Sequence, residues 1–168
     1  PHAELALVVS SRKNAGGLDR ADRAGIKHIY IGKENFEQEL IKLLEKHEID
    51  IIVLAGFLKI LSSDFVSRYP DRIINVHPSL IPSFCGDGFY GLRVHEAALS
   101  YGVKVTGATV HFVNEVTDGG KIIAQRAVDV KDGDTPEILQ RRVMEEAEWK
   151  LLPAAVEKVA AEIVARRG

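Results

Sequence analysis

The chain has 168 residues, 46% of them hydrophobic and 27% charged, the composition of a globular domain with one core of moderate size. Its longest apolar run, over residues 51–58, falls far short of the ~20 residues that a membrane-spanning helix needs, and 22 Lys and Arg against 24 Asp and Glu leave a net charge of −2, which argues against affinity for nucleic-acid phosphates. A single cysteine, Cys85, excludes an internal disulfide, and with no cationic-then-apolar segment at the start a reducing cytoplasm is the expected compartment.

Residues 4–10 (ELALVVS) read as a buried strand feeding a helix through a polar stretch with Gly16 and Gly17. Leu18, Ala21, Ala24 and Gly25 suit a short helix with a glycine stop, and residues 28–31 (HIYI) alternate like a strand. Phe36, Leu40, Leu43 and Leu44 recur at three- and four-residue intervals, predicting an amphipathic helix to about His47. The continuously apolar residues 49–56 (IDIIVLAG) predict a strand covered on both faces. A short helix over 62–69, a strand over 72–77 (RIINVH) and a Pro- and Gly-rich loop over 78–91 follow, and a loop of that length in a compact domain is usually functional.

Helical spacing returns over 94–101, and residues 106–113 and 122–130 read as the two strands of a hairpin joined by the turn-rich 114–121 (NEVTDGGK). In the last segment Asp134-Thr135-Pro136-Glu137 supplies helix-start residues, Ile138, Val143, Ala147 and Leu151 mark an inner face, and Pro153 predicts a break or kink before residues 154–166. The alternation implies one α/β domain over residues 1–168: a mostly parallel sheet with helices on both faces and an antiparallel C-terminal hairpin. In such sheets ligands bind at the carboxyl ends of strands.

Asn75 and His77 stand two apart at one such strand end, so both point to the same side. An amide can donate to a developing oxyanion and an imidazole can take or return a proton near neutrality, which together suit acyl transfer; the plain alternative is a strand cap and a satisfied core histidine. Asp118 lies in Thr117-Asp118-Gly119-Gly120, a hairpin-turn signal, yet from a loop beside the sheet its carboxylate could reach His77 and favour the charged imidazole. Residues 86–91 match G-x-G-x-x-G without the direct strand-to-helix turn of a dinucleotide site, so a flexible loop is preferred. Cys85 has no cationic neighbour to activate it, and His77, His95, His111 and Asp118 match no metal-ligand spacing, so no metal is expected. His111 reads as a packing residue and Glu145, Glu146 and Glu148 as a solvated helix face.

Residues 53–61 (VLAGFLKIL), 75–82 (NVHPSLIP), 107–113 (GATVHFV) and Asp118-Gly119-Gly120, taken in order, resemble the folate-dependent formyltransferases of the phosphoribosylglycinamide type. That resemblance implies a Rossmann-like fold and transfer of a formyl group from 10-formyltetrahydrofolate, as co-substrate, to the amine of glycinamide ribonucleotide in purine biosynthesis. It implies that Asn75 stabilises the oxyanion, His77 assists proton transfer and Asp118 orients or charges His77. Leu58, Lys59, Ile60 and Leu61 match the pterin-binding segment, Val113 lines the same slot, and Lys33 stands near the folate tail. Pro78, Ser79 and Glu148 fall on the nucleotide side, Glu148 at a position that contacts the ribose. Family members open with a strand, a glycine-rich phosphate loop and a helix ahead of the segment equivalent to residues 4–10, so the first central strand is expected to be missing. The rival expectations are a formyltetrahydrofolate hydrolase using water as acceptor and a non-catalytic folate-binding or assembly module. Small molecules rather than nucleic acid or membrane are the expected partners, and a homo-oligomer is compatible with all of these.

Overall fold

The computed structural model describes residues Pro1–Gly168 throughout, and the chain divides into two compact units, Pro1–Asp50 and Ile51–Gly168. In the first unit β1 (Val8–Ser10) pairs in parallel with β2 (His28–Tyr30), and α1 (Gly16–Arg23) is the crossover that parallel neighbours require. Gly25 ends α1 as expected: it takes φ 66°, and its N–H donates to the Asp22 carbonyl. α2 (Phe36–Lys46) buries Phe36, Leu40 and Leu44 along one face. The opening strand is shorter than its apolar run, and Leu5 is exposed, because pairing with β2 begins only at Val8.

The second unit contains β3 (Ile52–Leu54), α3 (Ser63–Arg68), β4 (Ile73–His77), α4 (Leu92–Tyr101), β5 (Val105–Phe112), β6 (Ile122–Asp129), α5 (Pro136–Val143) and α6 (Trp149–Arg167), with a π-helical turn, Met144–Glu148, between the last two helices. Its sheet runs β3-β4-β5-β6. β3 and β4 are parallel, while β4–β5 is antiparallel as well as the expected β5–β6 hairpin. After β4 the chain passes through a loop and α4 and re-enters the sheet at the end it left, with Thr109 opposite His77, so β5 has to run backwards. Two sheets, of two and four strands, thus form in place of a single one.

Three local expectations are corrected. β3 is not covered on both faces: it is an edge strand of three residues with β4 as its partner, and Val53 is exposed. Thr135 caps α5, its hydroxyl accepting the Ile138 N–H at 3.2 Å, and the helix phase set there turns Leu139, Val143 and Ala147 inward while Ile138 is half exposed. Pro153 does not break the C-terminal segment; α6 runs through it and forfeits the hydrogen bond that an N–H there would give the Trp149 carbonyl.

The core fixes the orientation of the sheet. Ile74 of β4 and Val110 of β5 pack on Ala155 and Val159 of α6, while Ala108 and Val128 pack with Ala98 of α4 and with Leu139, Val143 and Ala147. Even-numbered β5 residues are therefore committed to the helices, and the odd-numbered Thr109 and His111 face the other way.

Candidate active site

Register carries this alternation into β4. Asn75 lies opposite His111 and His77 opposite Thr109, and directly opposed residues share a face. Four polar side chains thus occupy one patch on one face of this pair of strands. The loop after β5 folds back onto them and brings in Asp118, whose side chain is 9% exposed.

His77 is buried, and its Nε2 donates to the Phe84 carbonyl oxygen at 2.8 Å, since a carbonyl can only accept. Its Nδ1 faces Asp118 Oδ2 at 3.6 Å. The other carboxylate oxygen lies 3.7 Å from His111 Nε2, and Oδ2 accepts the Gly86 N–H at 2.9 Å. Asn75 Nδ2 is 3.3 Å from the same His111 nitrogen. Burial, foremost, pushes the His111 pKa down. An amide donor, two imidazoles and a carboxylate therefore converge beside the carboxyl end of β4.

Two loops complete the cluster, and the sequence shows how each is held. The Thr109 hydroxyl donates to the Ser79 carbonyl at 2.7 Å and accepts from the Ile81 N–H at 3.1 Å and from Gln125 Nε2 at 3.0 Å, which ties the start of the 78–91 loop to β5 and β6. The Ser79 hydroxyl donates to the Ser83 carbonyl at 2.5 Å, closing the loop on itself so that Phe84 and Gly86 reach His77 and Asp118. In the second loop a Cβ on Gly120 would overlap the Phe112 carbonyl oxygen, so only glycine permits this close return past β5.

Asn75, His77 and Asp118, singled out from sequence, are brought together. Residues 58–61 leave the sheet from the carboxyl end of β3, where Leu54 pairs with Asn75, and expose the apolar side chains of Leu58 and Ile60. Val113 is half-buried just past β5, its N–H donating to the Ile73 carbonyl at 2.8 Å. Pro78 is half-buried and Ser79 fully buried, with its hydroxyl engaged in the loop as described. Lys33 is exposed in the first unit, between β2 and α2. Glu148 is no solvated-face residue: it closes the π-helical turn, partly buried, and burial pushes its carboxyl up to about 7. π-turns that interrupt helices are frequent at functional sites.

Sequence reasoning missed His111, and also His95, which is 1% exposed on α4 with neither ring nitrogen hydrogen-bonded. Burial first and nearby His77 second drive the His95 pKa to about 4. The available signal was the polar pair Thr109 and His111, two apart in a strand of apolar neighbours. Cys85 stays a thiol, its pKa raised by burial and by Asp118. No group of three or more His, Cys, Asp or Glu is arranged to hold a metal ion, and no helix is long and apolar enough to cross a membrane.

An amide, imidazole and carboxylate at the carboxyl edge of an α/β sheet suit chemistry on a carbonyl carbon. The chain belongs to the formyl transferase family, which it matches over residues 1–156. Within that class it is similar to phosphoribosylglycinamide formyltransferase of Bacillus subtilis, at 36% identity over 163 residues, covering 94% of this chain and 80% of that one. It is 45% identical over 164 residues to the human trifunctional purine biosynthetic protein adenosine-3, covering 94% of this chain but spanning only 16% of that protein's length. Among solved structures, phosphoribosylglycinamide formyltransferase from Anaplasma phagocytophilum matches with a TM-score of 0.88 at 36% identity, covering 96% of this chain and 77% of that one.

Proposed function

We propose that the chain transfers the formyl group of 10-formyltetrahydrofolate to the primary amine of glycinamide ribonucleotide. The observation that carries this reading is the convergence of Asn75, His77 and Asp118 in a member of the formyl transferase family. The amine lone pair attacks the formyl carbon, a C–N bond forms, and the carbonyl electrons move onto oxygen. Collapse of that tetrahedral species breaks the bond to N10 of the folate; the attacking amine loses a proton and N10 gains one. Asn75 donates an N–H to the oxyanion, a donor already in place when the charge develops. His77 moves the proton, and Asp118, 3.6 Å from its Nδ1, orients the ring.

Leu58, Lys59, Ile60 and Leu61, with Val113, hold the pterin through apolar contact and backbone groups; Leu58 and Ile60 stand exposed for that contact. Pro78, Ser79 and Glu148 serve the nucleotide. The family match runs through both compact units, which supports treating residues 1–168 as one formyltransferase domain. Steady-state turnover of 10-formyltetrahydrofolate with and without glycinamide ribonucleotide tests the reading. Formyl loss only when the nucleotide is present is the expected result. Equal loss without it would indicate a hydrolase, and folate binding without turnover a non-catalytic module.

A further inference from the structure

The imidazole that the sequence reads as core packing has a further assignment, resting on the formyl-transfer reading above. We infer that His111 is the positioning residue of Asn75: its Nε2 accepts one N–H of the Asn75 amide and leaves the other N–H for the reacting oxygen.

An asparagine amide donates from one end and accepts at the other, and turning it over exchanges the two. Only the donor end can stabilise an oxyanion, so something has to choose. His111 Nδ1 lies 2.9 Å from the Phe112 carbonyl oxygen, which only accepts, so Nδ1 carries the ring proton. In the neutral ring Nε2 is then a bare lone pair, and the group 3.3 Å from it has to be the NH2 end of Asn75. The amide oxygen there would set lone pair against lone pair.

The arrangement needs a neutral His111, and its surroundings supply that. The ring is 2% exposed, and burial outweighs the upward pulls of the Phe112 carbonyl and Asp118, with His77 adding to the downward side. The charged or titratable groups facing it are Asp118 from the loop after β5 and His77 from β4, while its neighbour across β6 is the apolar Ile122. A protonated ring would donate from Nε2 toward Asp118 Oδ1, now 3.7 Å away, and turn the amide over.

Nitrogen NMR of the wild-type ring gives the first test: protonated Nδ1 and bare Nε2 near neutrality are expected, and the opposite tautomer overturns the assignment. In kinetics, His111→Phe fills the volume without an acceptor and should lower kcat about tenfold or more, as expected when a transition-state donor is misdirected, with both KM values nearly unchanged. His111→Gln, whose carboxamide oxygen reaches the place of Nε2, should recover most of kcat at an unchanged melting temperature. Equal losses in both variants, or a rise in KM with kcat intact, would mean that His111 acts through packing. Should the wild-type chain transfer no formyl group at all, the functional reading fails, yet the ring tautomer and the shift of the Asn75 side-chain amide resonance in His111→Gln still decide the pairing.

Discussion

Replacing Glu148 by Gln should make the protein more stable, most of all in mild alkali. The carboxyl sits in the π-helical turn with its pKa raised from 4.5 to about 7, and burial is the cause. Such a shift corresponds to about 3 kcal/mol of differential stabilisation between the protonated and ionised forms. The sign follows from proton counting: between the two pKa values the folded protein holds a proton that the unfolded chain has released, so stability falls as pH rises. Below about 4.5 the residue costs nothing; above about 7 the full penalty is present. Urea unfolding followed by far-ultraviolet circular dichroism across this window should give a wild-type stability that declines and a Glu148→Gln stability with this decline removed. The two proteins should meet at the acid end and separate by up to ~3 kcal/mol at the alkaline end. Parallel pH profiles would refute the burial argument. If the carboxylate serves the nucleotide's ribose, the same variant should bind glycinamide ribonucleotide more weakly, the usual exchange of function for stability.

Asn75→Ala should lower kcat about a hundredfold while leaving folate affinity, measured by calorimetry, near wild type, because an oxyanion donor acts in the transition state; a threefold effect would remove it from that role. Asp134 is held well below the ordinary carboxylate range, at about 2, by its paired hydrogen bonds with Arg142. Since its folded pKa is depressed, its contribution is full above about 4 and is lost as pH falls through 2, so Asp134→Asn should flatten the acid end of the thermal-stability profile. Gly120→Ala should destabilise by ~3 kcal/mol in chemical unfolding, because the added methyl meets the backbone carbonyl of Phe112 rather than a side chain that can yield.

Elements whose partners lie close in sequence can be read from local spacing alone. α2 announces itself through Phe36, Leu40 and Leu44, and Asp134-Thr135-Pro136-Glu137 marks the region in which α5 starts. Position within a sheet is not written locally. The apolar run around β3 suits a central strand, yet an edge position leaves Val53 exposed, because burial depends on which strands arrive later in the chain. Ile138 and Leu139 are equally apolar, and only the exact first residue of α5 decides which one turns inward. The site shows the same division. Asn75 and His77 can be read from two-residue spacing, whereas His111 joins them through a pairing 36 residues away, and no spacing rule within one strand reveals that.

Asp118 shows why the turn explanation of Asp-Gly-Gly is insufficient. It adopts φ 53°, a region that costs an ordinary residue free energy and that glycine occupies freely. Its carboxylate is also largely withdrawn from water, and the ionisable side chains that face it at 3.6 and 3.7 Å are two histidines rather than a lysine or arginine. A burial of charge compensated mainly by the Gly86 N–H and nearby imidazoles is poorly repaid in stability. Glycine at this position would relieve both costs and keep the turn. What glycine would not keep is a carboxylate touching His77, His111 and the 78–91 loop at once, the one point where the two imidazoles and the neighbouring loop are joined. Strain and buried charge concentrated on one residue at the meeting point of Asn75, His77 and His111 are what the formyl-transfer reading proposed above expects of Asp118, and Asp118→Gly tests it: a loss of kcat with unfolding stability kept or raised is the expected result, and equal loss of both would reduce Asp118 to a tie between loops.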